Sequence, residues 1–330
     1  MPLFSVIIVN FNGGEYPKRA IESLKAQTLQ DFELLFVDNA SDDGSVEMID
    51  WNGLPAHKLF LENRNHGFAA ANNLAAREAN GTWLALLNPD AEAAPDWLEK
   101  LAEAISEWPR VSAFASAQYD MNDPERLDGV GDAYLVFGFP WRGGFGRPAS
   151  ELPAAGECFS PCGAGACIRK DVFLDHNGFD ERFFCYCEDV DLGYRMRLSG
   201  ENCRFVPQAI IHHAGGGLSG RASDFTVFHG TRNRIWVYAK NTPVALLLLT
   251  LPGHVAITTY LMARNIGSDR FTPTWRGIKA GLAGIRALRD DRRFGPPCRK
   301  VGLLELARSM AWNPWRMSGR RAHVRNVTEA

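Results

Sequence analysis

The N-terminal third of the chain alternates short runs that are apolar throughout with longer stretches whose apolar residues recur at helical spacing. Phe4-Ser5-Val6-Ile7-Ile8-Val9 is a β-branched run that feeds the turn Asn10-Phe11-Asn12-Gly13-Gly14. Ala20, Ile21, Leu24 and Ala26 then supply the apolar side of a helix, and Phe32 to Val37 forms the next strand, ending at Asp38. The rhythm repeats with a strand at His57–Leu61, a helix from Gly67 to Ala79, a strand from Thr82 to Leu87 and a helix from Pro95 to Glu107. Strands this uniformly apolar are covered on both faces, so the pattern predicts an α/β protein with a mostly parallel, doubly wound sheet.

From 120 to 165 the periodicity fades into Gly- and Pro-rich sequence such as Phe139-Pro140-Trp141-Arg142-Gly143-Gly144, which predicts long loops over the sheet face. Regular structure resumes at Ala166-Cys167-Ile168 and in a helix from Asp189 to Leu198 closed by Ser199-Gly200. Residues 241–263 contain no charged side chain and approach the ~20 apolar residues of a spanning helix. Pro252-Gly253-His254 interrupts them, and basic residues flank both sides, so a segment that dips into the membrane and returns is expected; a buried hairpin is the alternative. Trp275, Ile278, Leu282, Ile285 and Leu288 then fall at helical spacing among Arg276, Lys279, Arg286 and Arg289, as in a helix lying on a membrane surface. The expected division is a domain over 1–240 and a basic, partly apolar helical membrane-associating region over 241–330.

Charge sharpens that division. The net charge of -2 conceals 17 Lys+Arg against 32 Asp+Glu in residues 1–220, and 19 against 6 in residues 221–330. The basic end calls for an anionic partner. No helix-turn-helix, zinc-finger or RNA-binding signature accompanies it, so nucleic acid is set aside and an anionic membrane surface is expected. Seven cysteines, including Cys298, in a chain without a secretory signal read as reduced thiols, and Cys158, Cys162, Cys185 and Cys187 lack the spacing of a zinc site.

Candidate chemistry lies at the strand ends. Trp83-Leu84-Ala85-Leu86-Leu87 closes on Asn88-Pro89-Asp90, so Asp90 stands where an open α/β sheet meets ligand, beside Asn10 and Asp38. Glu188-Asp189-Val190-Asp191 and His212-His213 follow, a donor order that suggests metal-assisted transfer. Neither Gly-x-Gly-x-x-Gly nor a Walker loop is present, which removes the usual dinucleotide and phosphate-loop readings.

Taken in order, Val6 to Asn12, Val37-Asp38-Asn39-Ala40-Ser41-Asp42-Asp43-Gly44-Ser45, Glu62 to Phe68 with Asn73, Leu87 to Asp90, Cys162-Gly163-Ala164, and Glu188 to Leu192 through Arg195 to Gly200 resemble the family 2 inverting glycosyltransferases of GT-A fold, in the rhamnosyltransferase-like branch. The resemblance covers most of residues 4–240. It implies that Asp189 is the general base and that Asp90 and His213 bind Mg2+ or Mn2+, with His212 the alternative to His213. Val9, Asn10, Asn12, Asp38, Asn65, Gly67, Asn73, Asn88 and Arg232 would bind the nucleotide sugar, Asp38 by accepting from N3–H of uracil or thymine. Gly163, Ala164 and Glu188 would meet the acceptor. Asn88 departs from the family's Asp-x-Asp, which removes one negative ligand.

The resemblance implies transfer of a single sugar, L-rhamnose from dTDP-rhamnose, to a lipid-linked or cell-surface glycan, by a protein peripheral or monotopic at the cytoplasmic face of the inner membrane. A UDP-hexose donor, galactose or N-acetylglucosamine, is the alternative, and an inactive surface scaffold a second. A nucleotidyltransferase is disfavoured because its glycine-rich phosphate segment is missing, and processive synthesis because Gln-x-x-Arg-Trp is missing.

Overall fold

The computed structural model describes residues 1–215, 223–290, 294 and 299–326; Cys298 lies outside them. β1 (Phe4–Asn10) leads through α1 (Tyr16–Lys25) to β2 (Phe32–Asp38), followed by β3 (His57–Leu61), α2 (Gly67–Glu78), β4 (Trp83–Leu87), β5 (Ala91–Ala93) and α3 (Trp97–Glu107). β1, β2 and β4 are buried at every position, as continuous apolar runs require. β4, β1, β2 and β3 are adjacent and parallel, so their carboxyl ends share one edge. Ala69, Ala71, Ala75 and Ala76 of α2 cover one sheet face. Ile21 and Leu24 of α1 with Trp97 and Leu101 of α3 cover the other, which is the doubly wound arrangement the pattern predicts.

The stretch expected as loops from 120 to 165 carries four short strands set among its loops. β6 (Ala113–Asp120) runs into it, and β7 (Leu127–Gly129), β8 (Asp132–Leu135), β9 (Phe139–Arg142) and β10 (Gly156–Cys158) follow. Each of these four spans only three or four residues. β7 forms on β6, β8 on β9, and β10 on a strand much later in the chain, so no local periodicity announces them. β11 (Gly165–Arg169), α4 (Lys170–Asp175), α5 (Glu188–Leu198) and β12 (Cys203–His213) complete the body. β12 lies parallel to β6, and β11 runs antiparallel between β6 and β4.

Three long helices follow: α6 (Asp224–Asn241), α7 (Val244–Arg264) and α8 (Phe271–Asp290). The dip-and-return expected at Pro252 is not present, because α7 runs unbroken through it. Pro252-Gly253-His254 is a contact patch, not a turn. A Cβ at Gly253 would lie 2.4 Å from the Phe137 ring, and His254 donates from Nδ1 to the Phe137 carbonyl at 2.8 Å while stacking on Tyr238. α8 turns Ile278 and Leu288 inward and leaves Trp275 and Leu282 exposed. It crosses α6 closely: a Cβ on Gly277 would come within 2.8 Å of the Phe228 carbonyl. Residue 240 falls in the last turn of α6.

After α8 the chain returns to the body through α9 (Leu303–Ser309) and α10 (Pro314–Ser318). Ala311 bridges to Leu135 and Arg325 to Glu157. The six described cysteines are free thiols.

Candidate active site

A cleft of about 980 Å³ opens at the carboxyl ends of β1 and β4 and extends beneath the loop before α5. On one wall, the chain leaves β4 and turns at Asn88, whose carbonyl accepts from Ala91 N–H at 3.1 Å, so that Asp90 faces the cleft. β5 then pairs antiparallel with the end of β12, setting His213 opposite Ala91. His213 Nε2 consequently lies 3.1 Å from Asp90 Oδ1, while Nδ1 donates to Asp128 Oδ2 at 2.7 Å. Asp128 is fully buried and pairs with Arg142. His212, one residue earlier on the alternating strand, packs against Tyr119 instead.

Burial works against the charged imidazole, but the bonds to Asp128 and Asp90 outweigh it and lift the His213 pKa above its ordinary value. Burial likewise pushes Asp90 up, and His213 more than reverses this. A histidine whose Nδ1 is held by a carboxylate while Nε2 faces a second carboxylate is the arrangement of a metal ligand with its outer-sphere partner. One oxygen and one nitrogen donor, open to a cleft that would admit diphosphate oxygens, fit Mg2+ or Mn2+.

The other wall is built by the loop 184–187 and the first turn of α5. Phe184, Tyr186 and Cys187 all have positive φ, an uncommon backbone for side-chain-bearing residues that costs on the order of 1–3 kcal/mol each. Cys185 N–H donates to the Phe183 carbonyl at 2.8 Å, closing a γ-turn at Phe184. The strain is held by Asn233, whose amide donates to the carbonyls of Phe183, Cys185 and Tyr186. Gly67, itself at φ +85°, leaves room for this loop: a Cβ there would sit 2.6 Å from the Phe184 carbonyl oxygen.

So presented, Asp189 accepts at Oδ2 from Gly163 N–H at 2.9 Å and at Oδ1 from Val190 N–H at 2.8 Å. Burial raises its pKa; these two bonds and the charge of Arg142 oppose the rise without cancelling it. A carboxyl lifted above its ordinary range is tuned towards proton abstraction nearer neutral pH. Glu188 is raised as well, by burial and then by the charge of Asp189.

Ten of the expected site residues line this cleft: Val9, Asn65, Gly67, Asn88, Asp90, Gly163, Ala164, Glu188, Asp189 and His213. Five do not. Asp38 lies behind the wall, its carboxylate accepting from Asn10 Nδ2, Ser41 Oγ and Ser41 N–H, so it braces the loop after β2. Asn10 is part of that brace, and Asn12 Oδ1 accepts from Asp42 N–H. Asn73 clamps Phe179, donating to its carbonyl and accepting from its N–H. Arg232 donates to the Phe183 carbonyl at 2.9 Å and stacks on Trp236, supporting the strained loop from behind.

Several cleft residues escaped the sequence reading. Asn39, next to Asp38, lines the cleft at 2 % exposure with its Oδ1 unpartnered. Asp132 and Arg142, which line the cleft, and Asp128, buried behind His213, come from the short strands taken for loops; the alternation of Asp128 and Asp132 with glycine in Asp128-Gly129-Val130-Gly131-Asp132 was the available signal. Arg320, from the returning C-terminal chain, also lines the cleft and lies over Phe145.

Comparison with known proteins bears on the family and the fold. The Mycobacterium tuberculosis N-acetylglucosaminyl-diphospho-decaprenol L-rhamnosyltransferase is 26% identical over 288 residues, covering 79% of this chain and 92% of that protein. The structure of S. aureus TarS 1-349 in complex with UDP superposes with a TM-score of 0.57 at 18% identity, over 86% of this chain and 82% of the other. A mannosyltransferase from Pyrobaculum calidifontis in complex with GDP-Man and Mn2+ gives a TM-score of 0.54 at 17% identity, over 89% and 82% respectively. At such identities the two structures establish a shared GT-A glycosyltransferase fold. The sequence profile described as glycosyl transferase family 2 matches residues 5–175, more than half of the chain, and to that family of glycosyltransferases this protein belongs.

Proposed function

We propose that this cleft transfers one sugar from a nucleoside-diphosphate donor to a lipid-linked saccharide with inversion, the donor being dTDP-L-rhamnose. The observation that carries the reading is that Asp189 and the Asp90–His213 pair open into the same cleft. Asp189 takes the proton of the acceptor hydroxyl as that oxygen attacks the anomeric carbon, and the nucleoside diphosphate departs from the opposite side. Asp90 and His213 Nε2 hold Mg2+ or Mn2+, with Asn88 beside them; the bound ion supplies Lewis-acid stabilisation of the leaving diphosphate. Gly163 fixes the base through its N–H, and Gly163, Ala164 and Glu188 form the acceptor side. The named activity of the Mycobacterium tuberculosis relative favours rhamnose and a lipid diphosphate acceptor.

On the donor side, Asp38 with Asn10, Asn12 and Ser41 stiffens the loop that presents Asn39, and Asn39 Oδ1 accepts from N3–H of thymine or uracil. Val9, Asn65 and Gly67 complete that pocket, while Asn73 and Arg232 hold the segments behind it. Replacing Asn39 with alanine is expected to raise the donor KM about three- to tenfold, the value of one neutral hydrogen bond, with kcat little changed. An unaltered donor KM would remove Asn39 from base recognition. UDP-hexoses are the second reading, because uracil presents the same N3–H, and the solved relative holds UDP. A screen of dTDP-rhamnose, UDP-galactose and UDP-N-acetylglucosamine, reading nucleoside diphosphate release, decides between them. Chelation with EDTA is expected to abolish turnover, and added Mn2+ or Mg2+ to restore it; full activity in EDTA would refute the roles given to Asp90 and His213.

We read the C-terminal region as the part that holds this chemistry at the cytoplasmic face of the inner membrane, in a peripheral or monotopic protein. α7 buries only Leu246, Thr250 and His254, and exposes Leu248, Leu249, Val255 and Tyr260. By length and composition it could cross a bilayer. Trp312 and Trp315, at 51% and 80% exposure, add amphipathic rings of the kind that settle at an interface. We expect the protein to float with vesicles containing anionic lipid, and Leu248→Glu with Leu249→Glu to weaken that binding by about tenfold or more. Equal binding by the double variant would show that α7 does not meet lipid.

A further inference from the structure

Asp132 opens β8 with its main chain locked: its N–H donates to the Ser160 carbonyl at 2.9 Å and its carbonyl accepts from Phe159 N–H at 3.1 Å. The side chain is only 6% exposed and lines the cleft. Among the described residues, no hydrogen bond or ion pair satisfies its carboxyl; its resolved influences are burial and the charges of Asp189 and Arg142. A buried polar group without a partner is costly, and one that persists at a cleft wall marks a place that a ligand completes.

The ligand is constrained by what surrounds it. One oxygen of Asp132, one of Asp189 and the Cys162 sulfur all lie within 4.8 Å of one another. Burial and the Asp189 charge hold Asp132 protonated well above the usual carboxylate range. Burial pushes the Cys162 thiol up to about 12. Burial thus pushes all three groups towards their neutral forms, and the neighbouring Arg142 guanidinium is already paired with Asp128. Such a group suits a neutral ligand rich in hydroxyls, not an additional cation.

We propose that Asp132 is an acceptor-binding residue that grips the hydroxyl next to the attacking one, so that Asp132 and Asp189 together read a vicinal diol on the acceptor sugar. The two carboxyl groups are close enough for neighbouring ring hydroxyls to bond one each. A protonated Asp132 donates from its O–H to the second hydroxyl and accepts at its carbonyl oxygen, while Asp189 takes the proton of the first. This deepens the acceptor side of the function proposed above and rests on Asp189 being the base.

The test uses the full-length protein with dTDP-rhamnose and a short-chain lipid diphosphate of N-acetylglucosamine, together with its 3-deoxy and 4-deoxy analogues. Asp132→Leu is expected to raise the acceptor KM about tenfold or more while the donor KM stays fixed. Asp132→Asn, which keeps a neutral donor and acceptor in the same place, should remain within about threefold of wild type. On whichever deoxy acceptor still turns over, Asp132→Leu should add nothing to the wild-type KM, because the hydroxyl it would have lost is already missing. Equal KM penalties on the parent and deoxy acceptors overturn the proposal. So does loss of turnover in Asp132→Asn comparable to that of Asp189→Asn, which would make Asp132 a required carboxylate. Stoichiometric Zn2+ binding that disappears in Asp132→Asn would identify a cation site instead. Should wild type transfer nothing to this acceptor while turning over another, the acceptor assignment falls first and this reading with it.

Discussion

Replacing Asp189 with asparagine is expected to lower turnover by about two to four orders of magnitude, while the protein folds, binds donor and melts no earlier than wild type. The loss follows from chemistry that the amide cannot perform, since it accepts no proton. The retained stability follows from the sign of the pKa shift. In the folded chain burial keeps Asp189 protonated to higher pH than in the unfolded chain, so ionising it costs stability as pH rises through the folded value. Asparagine has no charge to bury, and escaping that cost offsets the one backbone bond, from Gly163 or Val190, that its amide nitrogen cannot accept. The acid limb of the wild-type rate profile should lie above the range of an ordinary aspartate, because the base must ionise to act. Near-normal transfer by a folded Asp189→Asn protein would end the assignment.

Replacing Asp191 with alanine should do the opposite, damaging the fold first. Its carboxylate, fully buried, accepts from Arg195 Nε at 2.9 Å, from Lys240 Nζ at 2.8 Å and from Asn241 Nδ2 at 2.8 Å. Lys240, equally buried, continues to Asp180 at 2.9 Å, and Asp180 to Arg182. The network ties α5, whose first turn carries Asp189, to α6 and to the chain before the strained loop. Alanine would leave two cations facing each other without their shared anion, a change that costs roughly 3–5 kcal/mol for buried pairs. That is a large part of a typical folding free energy of about 5–15 kcal/mol. Denaturant unfolding should register it, with activity falling in parallel; a loss below about 1 kcal/mol would show the network to be dispensable.

The contrast between these neighbours shows what the sequence could and could not convey. The Asp191–Arg195 pair follows from helical spacing alone, but Lys240 joins it from a helix almost fifty residues later. β1, β2 and β4 were legible because strands buried on both faces need unbroken apolar runs. β7, β8 and β9 were not, because strands of three or four residues are too short to show a period, and with them Asp128, Asp132 and Arg142 were missed. Pro252 misled because the packing of Gly253 on Phe137 and of His254 on Tyr238 holds α7 together past a residue that locally favours a break. Asp38 and Asn39 are adjacent at the end of one strand, and only the fold shows which of them faces the cleft. Arg232 is long enough to reach either side of its helix, and its guanidinium goes to the Phe183 carbonyl.

Anomalous diffraction from crystals grown with Mn2+ and dTDP tests the account most directly. The expected result is one manganese peak bonded to Asp90 and to His213 Nε2, with the diphosphate beside it and the cleft open from there to Asp189. A manganese peak among Asp132, Cys162 and Asp189, or a nucleotide seated outside the cleft, would contradict the division of labour between its two walls.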